Sequence, residues 1–182
     1  MLNALAMRPA TAADVSALTA LINSAYRGES SKAGWTTEAE LIGGQRVDTQ
    51  WLTAMIADLA SVILVYEDDG HAVGCVYLRR TEEGCYLGML TVAPTRQRDG
   101  LGRGILEASE RWAAEQWGSQ SMRMRVISSR DELLAWYERR GYRLTGEREP
   151  FPYGDERFGL PKRDDLEFVV LVKPLTPRSI LS

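Results

Sequence analysis

The stretch from Val92 to Leu106, VAPTRQRDGLGRGIL, constrains this chain more than any other. An apolar, strand-like run, Met89-Leu90-Thr91-Val92, ends where it begins, and an amphipathic helix pattern starts inside it at Leu101. Between them lies Gln97-Arg98-Asp99-Gly100-Leu101-Gly102, a turn with two glycines and no large apolar side chain before Leu101. Strand, glycine turn and helix start, in that order, form an anion-binding device. The first N–H groups of a helix have no partner within it, and the helix dipole adds partial positive charge there. Glycine lets phosphates approach the backbone closely. A Walker loop is excluded because the chain contains no Gly-Lys pair. A dinucleotide fingerprint is excluded because the position three residues after Gly102 is Ile105. A plain connection serving only geometry needs one turn residue, not this cluster.

At 182 residues the chain reads as one domain over 1–182 with a full-sized core. A hydrophobic content of 45% and a charged content of 26% are those of an ordinary globular protein. A net charge of −3 gives no global attraction to nucleic acid or to an anionic membrane. Lys32, Lys162 and Lys173 are the only lysines, so the cationic groups are mostly Arg, whose planar fork suits phosphates. The two cysteines, Cys75 and Cys85, sit inside strand patterns and read as buried apolar side chains. Neither has metal-ligand spacing, and the single histidine, His71, follows the turn Asp68-Asp69-Gly70, so no metal site is expected. The opening, MLNALAMRPATAADV, has no apolar run long enough for a signal peptide or membrane span; the expected compartment is the cytoplasm.

Residues 4–8 form a short first strand pattern, and Thr11 with Asp14 reads as the capping box of a helix carrying Val15, Leu18, Leu21 and Ile22. A polar, turn-rich stretch from Gly28 to Gly34 follows. Thr37 and Glu40 suggest a cap before a short helix at Leu41-Ile42, stopped by Gly43-Gly44. Asp48 caps a further helix with Trp51, Leu52, Met55 and Ile56 on one stripe. Ser61 to Glu67, Ala72 to Arg79 and Cys85 to Val92 form an antiparallel meander, apolar on both faces. The helix after the glycine turn buries Leu101, Ile105, Ala108 and Trp112, and Ser121 to Ile127 then alternates as a strand. A strand reached through a helix runs parallel to the one before it. Ser129 and Glu132 read as a capping box for a helix from Arg130 to Arg140, closed by Gly141. A strand starts at Tyr142 to Thr145, a long loop covers Gly146 to Asp164, Leu166 to Val172 is the last strand, and 174–182 is a loose tail. The fold class is therefore α/β, a mixed, mostly antiparallel sheet with one parallel pair and helices on both faces.

Two motifs resemble those of the GNAT superfamily of acyl-CoA-dependent N-acetyltransferases. Gln97, Gly100 and Gly102 match its motif A, Gln/Arg-x-x-Gly-x-Gly/Ala, with Val92 and Pro94 at the offsets of the preceding Val-x-Pro. Leu134 to Tyr142, LAWYERRGY, resembles motif B, with Tyr137 on a helix closed by Gly141 and Tyr142. The resemblance covers Ser61 to Thr145 well and the rest in outline. It implies a sheet splayed between the two parallel strands, with acetyl-CoA as co-substrate in the gap. Leu90, Thr91 and Val92 would flank the pantetheine arm, and the amides from Gln97 through Arg98, Asp99, Gly100 and Leu101 to Gly102 would hold the pyrophosphate. Arg98 and Arg103 would be phosphate partners.

The resemblance further implies direct acyl transfer to a primary amine of a small molecule, amino acid or peptide. Tyr137 would be the acid that protonates the leaving thiolate, and the oxyanion donor would be a backbone N–H near Leu90. It makes Tyr26, Arg27, Glu38 and Arg46 candidates for acceptor contacts, and family members often form homodimers. Two departures stand out. Many members carry a Glu on the fourth strand as base, whereas Tyr86-Leu87-Gly88-Met89 has no carboxylate. The base is then a water chain, Glu38 or a residue of the late loop, or none is needed for an acceptor of low pKa. Where motif B often has an Asn touching the CoA arm, this chain has Arg130, which either reaches a CoA phosphate or points to solvent. The missing carboxylate also keeps a second reading open, a non-catalytic acyl-CoA sensor. Acidic residues Glu38, Asp155, Glu156, Asp164 and Asp165 favour a cationic acceptor, while Arg27, Arg46 and Arg157 favour an anionic one.

Overall fold

The computed structural model describes residues 5–27, 37–97 and 100–176. In chain order the elements are β1 (Ala6–Pro9), α1 (Val15–Tyr26), β2 (Ile42–Gly43), α2 (Thr49–Ala57), β3 (Ser61–Asp68), β4 (His71–Thr81) and β5 (Gly84–Val92). They continue with α3 (Leu101–Trp117), β6 (Ser121–Ile127), α4 (Asp131–Glu138), β7 (Arg143–Pro150), β8 (Leu160–Pro161) and β9 (Glu167–Pro174). Seven strands form one sheet in the order β1-β3-β4-β5-β6-β9-β7, and β2 pairs with β8 in a separate ribbon. The β5–β6 pair is parallel and the other pairs are antiparallel.

The meander forms because its strands are apolar on both faces. On β3, Leu64 and Tyr66 enter one core with α3, while Ile63 and Val65 enter a second with α1 and α2. The β3–β4 turn has Asp69 at φ 49° and Gly70 at φ 75°, both left-handed as a two-residue hairpin requires, and His71 is exposed there. Cys75 and Cys85 are free and buried. Helix α3 buries Leu101, Ile105, Leu106, Ser109 and Ala113, a stripe rotated slightly from one centred on Ala108 and Trp112. Ser109 is tolerated there because its hydroxyl donates to the Ile105 carbonyl at 2.7 Å and meets the Tyr66 hydroxyl at 3.2 Å.

The parallel pair sets up the site. Gly84 opens β5 hard against β6: a side chain there would meet the Ser121 carbonyl at 2.5 Å. Cys85 pairs with Met122 and Tyr86 with Arg123, and the register ends there. Beyond Tyr86 the two strands splay. The same part of β5 carries a bulge opposite Val76, with Met89 at φ 50°.

Several expectations change. No helix forms at Leu41-Ile42. Leu41 and Ile42 donate to the Glu38 carbonyl in a single turn, and Ile42-Gly43 then pairs with Leu160-Pro161. One turn between Thr37 and Gly43 is too short to propagate a helix. Ser129 and Glu132 make no capping box: Arg130 is the N-cap, its carbonyl accepting from Leu134, and Asp131 and Glu132 in the first turn stabilise the helix dipole instead. The strand after Tyr142 runs to Pro150, through a bulge after Leu144, so the expected loop from Gly146 is strand at its start. An exposed edge strand shows no apolar alternation, which hid it. The tail is held at its beginning: Pro174 ends β9, and buried Leu175 donates to the Gln120 carbonyl at 2.8 Å. Residues 28–36, 98–99 and 177–182, and with them the Gly28 to Gly34 turn, lie outside the described residues.

Gly74 fixes how closely α3 lies on β4, because a methyl there would sit 2.5 Å from Ile105 Cδ1 and 2.7 Å from the Thr91 carbonyl. Gly74→Ala is expected to cost about 1–3 kcal/mol through overpacking, read as a lower urea midpoint with unchanged slope. An unchanged midpoint would contradict this packing.

Candidate active site

The splayed edge of β5 leaves backbone carbonyls without a neighbouring strand, and two side chains come to them. The Tyr26 hydroxyl, at the end of α1, donates to the Leu90 carbonyl at 2.5 Å. Gln97 Nε2 donates to the Val92 carbonyl at 3.1 Å. A carbonyl oxygen has two lone pairs, so each can still accept a second hydrogen bond. Burial pushes the Tyr26 phenol up to about 12, so it is a proton donor at neutral pH.

Two cavities meet at this edge. A slot of about 20 Å³ runs between Leu90 and Val92 on one side and Gly102, Trp136 and Tyr137 on the other. A chamber of about 330 Å³ opens on the far side of the same edge. Tyr26, Leu90, Leu133 and Tyr137 line both. Tyr137 projects from α4, is 5% exposed, and makes no side-chain hydrogen bond among the described residues. Burial, reinforced by Tyr26, drives its phenol far above the ordinary value, so it stays protonated.

The chamber is roofed by the late segment. The β2–β8 ribbon, with Gly159 packed where any side chain would meet Ile42 Cγ2 at 2.5 Å, carries Phe158 onto Trp51 with ring centroids 5.5 Å apart. Tyr77 and Tyr86 stand edge to face at 6.5 Å on the chamber wall. Glu38 is the one carboxylate among the described lining residues. One of its oxygens accepts from Arg27, and the other accepts from Arg130 Nη1 at 3.2 Å. All three side chains are largely buried, at 4% exposed for Arg27, 8% for Arg130 and 12% for Glu38. Burial acts to raise the Glu38 carboxyl, but the charges of Arg130, Arg27 and Arg46 and the Arg27 hydrogen bond outweigh it, and its pKa is lowered.

The sequence model of the acetyltransferase (GNAT) domain matches residues 27–151. The chain belongs to the GNAT acetyltransferases. No curated protein sequence matches it. Solved structures with the same fold include a ribosomal-protein-alanine N-acetyltransferase from Brucella melitensis, 25% identical over 94% of this chain and 100% of that one, with a TM-score of 0.66. A putative acetyltransferase from Salmonella typhimurium, solved with its cofactor acetyl-CoA, is 21% identical over 96% and 95%, with a TM-score of 0.68. The ribosomal-protein-S18-alanine N-acetyltransferase from Escherichia coli is 14% identical over 94% of each chain, also at 0.68. The GNAT fold and the acetyltransferase class follow for this protein.

The GNAT motif residues divide by position. Leu90, Val92, Gln97 and Gly102 line the slot; Thr91 does not, because it is fully buried with its hydroxyl on the Met89 carbonyl at 2.8 Å. Gly100 is the N-cap of α3 at φ 74° and, being glycine, offers no side chain of its own to the first turn. The Leu101 side chain belongs to the core beneath α3, so only its backbone faces outward. Arg98 and Asp99 lie outside the described residues. Arg103 pairs with Glu107 at 2.8 Å on the helix surface, beside a cleft shared with Arg139, Arg140 and Lys173.

Tyr26, Arg27, Glu38 and Arg46 all line the chamber. Arg130 does not point to solvent: it lines the chamber rather than the slot and is buried against Glu38, because α4 starts at the chamber end of β6. Glu38, the carboxylate expected as one candidate base, is held by two guanidinium groups with its pKa lowered, which weakens it as a base. Sequence reading missed Trp136 over Gly102 and Phe158 over the chamber; the first shared its helix with motif B, and the second had no periodicity to reveal it.

Replacing Glu38 by Gln leaves two buried guanidinium groups without their shared counter-charge. Glu38→Gln is expected to cost about 3 kcal/mol at neutral pH. Because the folded pKa of Glu38 lies below its ordinary 4.5, the stabilisation is full above that value and fades as pH falls through the folded one. The melting-temperature gap between the two proteins should therefore close on acidification; a gap constant with pH would contradict the ionised pairing.

Proposed function

We propose that this acetyltransferase moves the acetyl group of acetyl-CoA directly to a primary amine of a small molecule, amino acid or peptide. One observation carries the reading: protonated Tyr137 lines both the narrow slot beside the glycine turn and the wide chamber, so it faces the point where donor and acceptor would meet. The donor side fits acetyl-CoA. The N-cap of α3 is glycine, so the first amides have no capping side chain and are available to a pyrophosphate. Leu90 and Val92 can each offer a second lone pair to the amides of a pantetheine arm, and the cationic cleft at Arg103, Arg139 and Arg140 can take up further phosphate charge.

The acceptor amine reacts only after losing a proton, since its pKa is near about 10. Glu38 is committed to its arginines, so we assign deprotonation to water in the open chamber. The amine nitrogen then attacks the thioester carbonyl. The bulge at Met89 turns the backbone of β5 at this point, and we assign an N–H of this segment to the oxyanion. As the C–S bond breaks, Tyr137 gives its hydroxyl proton to the sulfur, the attacking nitrogen sheds its extra proton to chamber water as the amide forms, and that proton restores Tyr137 through solvent. Tyr26 holds the Leu90 segment in position.

Tyr137→Phe removes one oxygen from a buried ring and little packing. It is expected to lower kcat for CoA-thiol release by about 100-fold or more while acetyl-CoA still binds. Turnover within about twofold of the parent would remove Tyr137 as the acid.

A further inference from the structure

We propose that the acceptor is a small amine that also carries a carboxylate, and that this carboxylate binds Arg46 and Arg27 in the chamber. The proposal rests on the acetyl-transfer reading above for the fate of the amine, but not for the anion site itself. Both oxygens of Glu38 are taken, one by Arg27 and one by Arg130. That leaves cationic capacity over. No carboxylate of the described residues lies within 4 Å of the Arg46 guanidinium, which stands over the Tyr26 ring at 5.7 Å. Arg27 is 4% exposed, yet its Nε has no hydrogen-bond partner among the described residues.

The arrangement is held in place before any ligand arrives. Asn23 Oδ1 accepts from the Arg46 and Val47 amides at 2.7 and 3.1 Å, and Asn23 Nδ2 donates to the Val47 carbonyl at 2.9 Å. This fixes the backbone that presents Arg46. The other arginines of the chamber are engaged at its rim: Arg79 lies 4.0 Å from Asp58, and Arg125 3.1 Å from Glu149. The arginines that count are therefore those beside Tyr26, which also lines the slot. Arg46 stands over the ring of Tyr26, whose hydroxyl reaches the Leu90 carbonyl at the junction, which calls for a short spacer between carboxylate and amine. The remaining walls, with Trp51, Tyr77, Tyr86 and Phe158, favour an apolar substituent, and about 330 Å³ holds a molecule of amino-acid size. A guanidinium fork matches a planar carboxylate with two hydrogen bonds.

The test pairs apolar α-amino acids with their decarboxylated amines and their amides. CoA-thiol release from acetyl-CoA is measured with each, and binding of each to CoA-saturated protein is measured by calorimetry. At least one acid should exceed its decarboxylated partner by about 100-fold in kcat/KM, with the amide close to the amine. Arg46→Gln should reduce that ratio by about tenfold or more through KM, and Arg46→Lys should restore part of it, with the acetyl-CoA KM unmoved as evidence of an intact fold. Acids that bind CoA-saturated protein in preference to the amines, without thiol release, would uphold the anion site and overturn the transfer reading. Amines used or bound as well as the acids, or no acid bound at all, would overturn the proposal.

Discussion

The parallel pairing of β5 with β6 stops after Tyr86 and Arg123, and the rest of the active region depends on that stop. Up to that point Gly84 lets the strands touch; beyond it they diverge and expose backbone that a continuous sheet would have satisfied. Buried polar backbone left unpaired costs about as much as a lost hydrogen bond. The protein meets this demand with Tyr26 on Leu90 and Gln97 on Val92, so the gap keeps both its opening and its hydrogen bonds. Two cores hold the strands at this angle, one under α3 and α4, the other under α1 and α2.

The two sides of the gap differ in chemistry. On the slot side the features are backbone: a left-handed glycine as the N-cap of α3 and a second glycine against Trp136. On the chamber side they are charged and aromatic side chains around Glu38, the one carboxylate among the described lining residues. Tyr137 belongs to both sides, and its burial keeps it a neutral donor at neutral pH.

The slot side was the more legible in the sequence. Glycines at 100 and 102 between a strand and a helix have a local meaning, and so does a tyrosine on a helix closed by Gly141. The parallel pair followed from chain connectivity. The chamber was legible only as a set of candidates, because Arg27, Glu38 and Arg130 are far apart in sequence and no local pattern pairs them. Arg130 shows the limit clearly: its motif position left a phosphate and solvent both open, and neither suggested the ion pair it makes with a carboxylate from the first third of the chain. The strand from Arg143 to Pro150 was half missed because a solvent-exposed edge strand has no apolar period to read. The turn at Glu38 was misread as a helix because its partner strand, Leu160-Pro161, lies over a hundred positions away.

The ribbon that joins Ile42-Gly43 to Leu160-Pro161 has a consequence for how such a protein diversifies. Apart from Tyr26, the slot is written in one contiguous run, from β5 to the end of α4. The roof of the chamber is written in two distant runs that must fit each other where Gly159 meets Ile42, with no room for a side chain on the glycine. Donor use can be inherited as a cassette. Acceptor choice cannot: a new preference requires matched change in both runs at once, so recombination that exchanges only one of them should yield a folded protein with a mismatched roof.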